Sequence, residues 1–160
     1  MNVLSGLLQP TTGTIEINGV FTKLTGPRQA KRLGIGMVHQ HFMLIPAFTV
    51  LENIILGDEP TKLGQINYKK ARIAVESLVK KYSLNLDLNA KVETISVGMQ
   101  QRVEIVKALY RQATVLIFDE PTAALTPQEI DELFVIFKQL VKENKAIIFI
   151  THKLGEIKKV

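Results

Sequence analysis

Val115-Leu116-Ile117-Phe118-Asp119-Glu120 decides how the rest of this 160-residue chain is read. The apolar run is too short for a helix and ends in two acids. That is the pattern of a strand covered on both faces, as the strands of parallel sheets are. Just downstream, Thr126-Pro127-Gln128-Glu129 combines a capping-box pattern with Pro at the first helical position. Ile130, Leu133, Phe134, Phe137, Leu140 and Val141 then form an apolar helical stripe, which Asn144 closes. Residues 146–150, Ala-Ile-Ile-Phe-Ile, predict a second buried strand. Strand, helix and strand in this order make a βαβ crossover, so the fold class is α/β with a parallel sheet.

Upstream, residues 14–18 alternate Thr-Ile-Glu-Ile-Asn and run into Asn18-Gly19, predicting a short half-exposed strand and a turn. Residues 35–39, opened by Gly34 and Gly36, predict another strand. The stretch from about 50 to 111 reads as mostly helical, with Tyr68, Val75, Leu78, Val79 and Tyr82 on one buried face. It is expected to be a subdomain inserted into the sheet. Residues 1–8 are apolar and helix-like with no cap before them, and residues 155–160 stop as a helix begins. Both ends therefore read as cut.

Composition narrows the class further. A chain that is 46% hydrophobic and 22% charged supports one globular domain with a real core and disfavours disorder. The absence of cysteine excludes a disulfide framework and any thiolate metal site. No apolar run approaches the length of a membrane span, and no leader opens the chain, so an intracellular protein is expected. The net charge of +5 falls largely on predicted helix faces at Lys69, Lys70, Arg72, Lys80 and Lys81, among acidic neighbours. These read as solvated faces, and no nucleic acid is expected as a partner.

Asp119 and Glu120 stand at the C-terminal end of a buried strand, where α/β sheets bind ligands. An Asp there can hold Mg²⁺, and an adjacent Glu can polarise a water. A parallel strand can also finish in acids simply because it reaches solvent. In Ile95-Ser96-Val97-Gly98-Met99-Gln100-Gln101-Arg102, Ser96 is a helix cap and Gly98 lets a ligand approach the backbone closely. Such a helix start suits phosphate, although an ordinary capped helix has the same pattern. Gln40 and His152 each follow a predicted strand. His39 and His41 have no partners at metal-ligand spacing, so no zinc site is read. Gly34-Ile35-Gly36 lacks the third glycine of a dinucleotide fingerprint.

Taken in order, these features resemble the ATPase domain of ATP-binding-cassette transporters over most of the chain. Gln40 matches the Q-loop, and Ser96-Val97-Gly98-Met99-Gln100 the signature loop. Phe118-Asp119-Glu120-Pro121-Thr122 matches Walker B with its catalytic Glu, Ala123-Ala124-Leu125-Thr126 the D-loop, and His152 the switch histidine. Thr11-Thr12-Gly13-Thr14-Ile15-Glu16-Ile17-Asn18-Gly19 resembles the turn and strand found early in these domains. Met37-Val38-His39-Gln40-His41-Phe42, the Val-Gly-Met form of the signature and Thr126-Pro127-Gln128-Glu129 are most similar to sugar and nucleoside importers.

The resemblance implies a P-loop NTPase-like parallel sheet core with an inserted helical subdomain, N-terminally truncated. The subdomain spans about 50–111 with the signature loop at its end, and 112–160 is the Walker B to switch-His part of the core. ATP and Mg²⁺ are the implied cofactors. Asp119 and Gln40 would serve the metal, Glu120 and His152 catalysis. Gln40, Ser96, Gly98, Gln100 and His152 would serve the nucleotide. The implied partners are a second ATPase cassette, transmembrane permease subunits and, indirectly, a substrate-binding protein, at the cytoplasmic face of the membrane. Three departures stand out: Val97 replaces a glycine of the signature, Thr126 replaces an Asp, and no Gly-x-x-x-x-Gly-Lys-Ser/Thr occurs. Two alternatives follow: a truncated non-catalytic cassette that docks on a partner, and a soluble non-transport ATPase. The DNA-repair form of the latter inserts long coiled coils between Q-loop and signature, which this chain does not have room for.

Overall fold

The computed structural model describes residues 2–17, 19–39 and 42–153. In chain order its elements are β1 (Glu16–Ile17), β2 (Val20–Phe21), α1 (Pro27–Arg32), β3 (Ile35–Val38), α2 (Val50–Ile55), β4 (Thr61–Lys62) and β5 (Gln65–Ile66). They continue with α3 (Tyr68–Lys81), a 3₁₀ turn at Val92–Thr94, α4 (Val97–Tyr110), β6 (Val115–Asp119), α5 (Pro127–Lys142) and β7 (Ala146–Ile150).

β6 is the middle strand of a three-stranded parallel sheet ordered β3-β6-β7. Leu116, Ile117 and Phe118 are fully buried, as expected of a strand covered on both faces. Phe118 packs on Phe137 of α5 at 4.4 Å between ring centroids, and Phe137 and Phe134 meet Phe149 of β7 edge-on. The α5 stripe is therefore what closes this face of the sheet. Its start is a complete capping box: Thr126 N–H donates to Glu129 Oε2 at 2.9 Å, and Glu129 N–H donates to Thr126 Oγ1 at 3.3 Å.

Several expectations need correction. β7 is half-buried, because among the described residues it has a strand on one side only. The β1 strand is only two residues long and pairs antiparallel with β2. Residues 2–6 form turns, with the Leu7 and Leu8 amides both donating to the Asn2 carbonyl. The helical stretch is interrupted by the β4–β5 hairpin, whose turn residues Leu63 (φ 52°) and Gly64 (φ 79°) are both left-handed, as a tight hairpin demands. Tyr68, at the first position of α3, is exposed rather than part of the buried face that Val75 and Tyr82 build.

Polar groups lock the helical region to the rest. Asn53 of α2 is wholly buried: Ile45 N–H donates to its Oδ1 at 2.7 Å, and its Nδ2 donates to the Ile45 and Thr49 carbonyls at 3.0 Å each. Glu143, capping α5, accepts from Lys81 Nζ and from the Tyr82 hydroxyl, both at 2.6 Å. The Lys81 ammonium, and secondarily the Tyr82 hydroxyl, hold the Glu143 carboxyl below its ordinary range. A depressed folded value means the tie is fully present above the unfolded carboxylate value of about 4.3 and is lost as pH falls through the folded one. The urea midpoints of wild type and Glu143→Gln are accordingly expected to differ at pH 7 and to converge on acidification. A gap that stays constant down to pH 3 would refute this assignment.

Candidate functional site

Parallel register sets the site. Asp119, half-buried, is the last residue of β6 and pairs with Ile150, the last of β7. Both strands thus end at the same level, and the residues just beyond them meet. Glu120 takes a left-handed backbone (φ 47°) that is uncommon for a residue with a side chain. It is held there from both sides: its N–H donates to the Ile150 carbonyl at 3.0 Å, and its carbonyl accepts from Ala123 N–H at 3.3 Å. This geometry carries its Oε1 to 3.0 Å from His152 Nδ1. The imidazole is two-thirds exposed and the carboxylate one-third, so the pair is oriented yet open to solvent. Asp119, Glu120 and His152 are therefore brought to one sheet edge. Gln40 lies outside the described residues.

The Ser96–Gln100 turn keeps the expected cap, and Gly98 lies against protein. Ser96 caps α4, its hydroxyl accepting from Met99 N–H at 3.3 Å, and it is exposed. Gly98 is buried against protein: a Cβ there would lie 2.2 Å from Glu129 Oε1 and 2.7 Å from its Cδ. The absence of a side chain serves the contact between α4 and the capping box of α5. Gln100 turns back, its Nε2 reaching the Ile95 carbonyl at 3.3 Å and that of Val92 at 3.5 Å. None of Ser96, Gly98 and Gln100 has a described contact with Asp119, Glu120 or His152.

Other polar residues connect the parts, and the sequence reading did not single them out. Gln101 is 2% exposed and donates from Nε2 to the Pro121 carbonyl at 2.8 Å. Lys153 Nζ donates to the next carbonyl, Thr122, at 3.0 Å. Glu104 accepts from Met43 N–H at 3.1 Å and Lys107 Nζ donates to the Met43 carbonyl at 3.2 Å, so two buried α4 side chains hold the two peptides that flank Met43. Burial draws the Lys107 ammonium below the usual lysine range, against the Glu104 carboxylate 3.6 Å away. The available signal was a polar residue at a position of the α4 stripe where packing demands an apolar one. A cavity of about 390 Å³ lined by Arg28, Lys31, His39 and Lys107 among others does not include Asp119, Glu120 or His152.

Chemically, the edge offers one half-buried carboxylate, a second carboxylate paired with an imidazole, and open solvent. One or two carboxylates are the donor set Mg²⁺ takes when phosphate oxygens supply further ligands, so Asp119 with its neighbour fits such an ion.

The family model for the ABC transporter matches residues 1–123. The chain belongs to the ABC transporter family. Over its full length it is 56% identical to the nucleoside import ATP-binding protein NupA of Lactococcus lactis subsp. cremoris, covering 32% of that protein. It is 58% identical over 148 residues, 92% of the chain, to the guanosine import ATP-binding protein NupO of Bacillus subtilis, covering 29% of it. The chain thus spans about a third of the length of these curated relatives. Among solved structures it resembles the dimeric ATP-binding cassette MJ0796 bound to ADP and Pi, with TM-score 0.77 and 26% identity, covering 99% of the chain and 70% of the cassette. A nucleotide-free cassette matches in fold at TM-score 0.81, with 20% identity, over 98% of the chain and 66% of its own. The α/β architecture described above is that of ABC ATPase cassettes.

Proposed function

We propose that the chain is part of the ATP-hydrolysing subunit of an importer for a small solute, a nucleoside or a sugar. The observation that carries this reading is the Asp119-Glu120 end of β6 with Glu120 held 3.0 Å from His152. The nucleoside-import relatives at 56% and 58% identity support the choice of solute class. In this reading Asp119, with Gln40, serves Mg²⁺, which when bound would neutralise phosphate charge. Glu120 orients the attacking water and takes its proton, and His152, aligned by Glu120, donates toward the terminal phosphate. Ser96, Gly98 and Gln100 belong to a surface that closes on the nucleotide of a second cassette, and the dimeric assembly of MJ0796 supports such a partner. Residues 50–111 act as the helical subdomain that docks on permease subunits, with the segment after Gln40 transmitting closure; 112–160 complete the core. A substrate-binding protein would act through the permease. The protein would work peripherally at the cytoplasmic membrane face; among the described residues no helix is long and apolar enough to cross a membrane.

Residues 1–160 contain no Gly-x-x-x-x-Gly-Lys-Ser/Thr loop, and a second reading gives these residues docking on partners alone. Triphosphate affinity depends chiefly on the backbone N–H groups and Lys of such a loop. Without them, the Asp119 and Glu120 carboxylates repel phosphate. Calorimetric titration separates the readings. Residues 1–160 alone are expected to show no saturable Mg-ATP binding tighter than about millimolar, and a form preceded by a phosphate loop to bind in the micromolar range, a difference of about 4 kcal/mol. A flat isotherm for the loop-bearing form would sink the ATPase reading in favour of docking. Micromolar binding by 1–160 alone would show that the affinity resides elsewhere.

A further inference from the structure

Glu120 is the residue whose geometry the proposed reaction depends on most, and its backbone is in a conformation that must be held by its surroundings. A left-handed φ of 47° costs free energy for a residue with a Cβ and persists only where neighbouring contacts over-determine it. Two of those contacts are local to the sheet edge: the Ile150 carbonyl on the Glu120 N–H, and Ala123 N–H on the Glu120 carbonyl. The next carbonyl along, that of Pro121, is met by a side chain of α4. Pro121 is buried, and its carbonyl oxygen is met by Gln101 Nε2 at 2.8 Å. Gln101 is itself 2% exposed and lies one turn into α4, the helix that begins at Ser96.

A buried glutamine in the first turns of a helix otherwise lined by Val103, Ile105 and Val106 is expensive unless it has a specific partner. Leucine or methionine would fill that space without desolvating an amide. What the amide adds is direction. It fixes the orientation of the Pro121–Thr122 peptide, inside the turn at residues 120–123 that places the Glu120 carboxylate beside His152. Two further contacts hold α4 against α5, the helix that follows this turn: Gly98 against Glu129, and the Arg102–Glu132 ion pair. Any rotation of α4 therefore pulls on the Pro121 carbonyl.

We propose that Gln101 is a positioning residue for Glu120, holding the Pro121 carbonyl so that the carboxylate stays aligned with His152 and moves with the signature helix. The proposal rests on the ATPase reading above. It assigns Gln101 no contact with nucleotide.

The test compares wild type, Gln101→Met and Gln101→Glu in the form of the protein that carries a phosphate loop. Gln101→Met keeps the volume and removes the donor. It is expected to lower kcat by about 10- to 100-fold, the scale of a small misplacement of a reacting group, with nucleotide affinity unchanged. In the nucleotide-free protein, the Glu120 and Ala123 amides should exchange with solvent roughly tenfold faster in this variant, while amides of β3 and α5 keep their wild-type protection. Gln101→Glu presents a carboxylate to a carbonyl at neutral pH, but a protonated carboxyl can donate to it. Its kcat relative to wild type should therefore rise as pH falls, a response that mere space-filling would not produce.

Wild-type kcat and wild-type exchange at Glu120 and Ala123 in Gln101→Met would overturn the proposal. So would a Gln101→Glu to wild-type ratio that stays flat with pH. If Gln101→Met does not fold, the pH response of Gln101→Glu decides. Loss of the folded state in both variants would make Gln101 a packing residue and overturn the assignment. Absence of ATP turnover in wild type would sink the ATPase reading itself, and the amide exchange of the nucleotide-free variants still reports on Gln101.

Discussion

Glu120→Gln is expected to reduce ATP turnover by about 10²–10⁴-fold in a phosphate-loop-bearing form, the usual scale for loss of a general base. The structure explains why so small a change isolates the chemistry. The amide of Gln is close in shape to the carboxylate and can place its oxygen where Oε1 lies, 3.0 Å from His152 Nδ1, so the imidazole keeps its surroundings. The left-handed backbone at this position is no more strained for Gln than for Glu, and the bonds to Ile150 and Ala123 are main-chain bonds that the substitution leaves alone. Only basicity is lost. ATP binding, measured by calorimetry on the same protein, should be retained. Steady-state hydrolysis at the wild-type rate would remove Glu120 from the mechanism.

Gly98→Asp is expected to lower turnover by about 10²-fold, comparable to the loss of one preorganised charge-stabilising group. Gly98→Ala is the informative control. Any Cβ at Gly98 displaces the Glu129 carboxylate, which would otherwise lie 2.2 Å away and which holds Thr126 N–H and Oγ1 at 2.9 and 3.0 Å. Losing that capping box costs about 1 kcal/mol. The gain in helix propensity from Gly to Ala returns about 1 kcal/mol, so the stability of Gly98→Ala should stay close to wild type. Asp adds a second carboxylate beside Glu129, at a helix start that in the proposed dimer faces phosphate. Turnover, urea midpoint and ATP binding to the monomer should therefore separate: the first falls, the second falls modestly, and the third holds. Equal turnover in the Ala and Asp variants would mean that charge at this helix start does not matter. Binding lost in step with turnover would place the loop in its own subunit's site.

Legibility followed the length scale of each signal. β6, α5 and the α5 capping box were readable because their determinants lie within a few residues: a continuous apolar run, a Thr-Pro-Gln-Glu start and a 3.6-residue stripe. The β4–β5 hairpin was not, because two-residue strands carry no alternation and the Leu63-Gly64 turn lacks the Asn or Asp that usually announces one. Gly98 was read as a place where a ligand approaches the backbone, whereas the group that lies against it, Glu129, is on another helix. Gln101, Glu104 and Lys107 read as ordinary polar interruptions of a helix. Their partners at Pro121 and Met43 are distant in sequence.

By itself, the sequence determined the fold class, the crossover from β6 through α5 to β7, and the position of Asp119 and Glu120 at the C-terminal end of β6. Those follow from periodicity and capping, which are local properties of the chain. Only the tertiary structure decided that Glu120 is paired with His152, that Gly98 is packed on a carboxylate, and that Gln101 meets the Pro121 carbonyl. Each of these depends on strand register and helix packing, where hydrophobic burial fixes the elements against one another and the polar contacts follow from that placement.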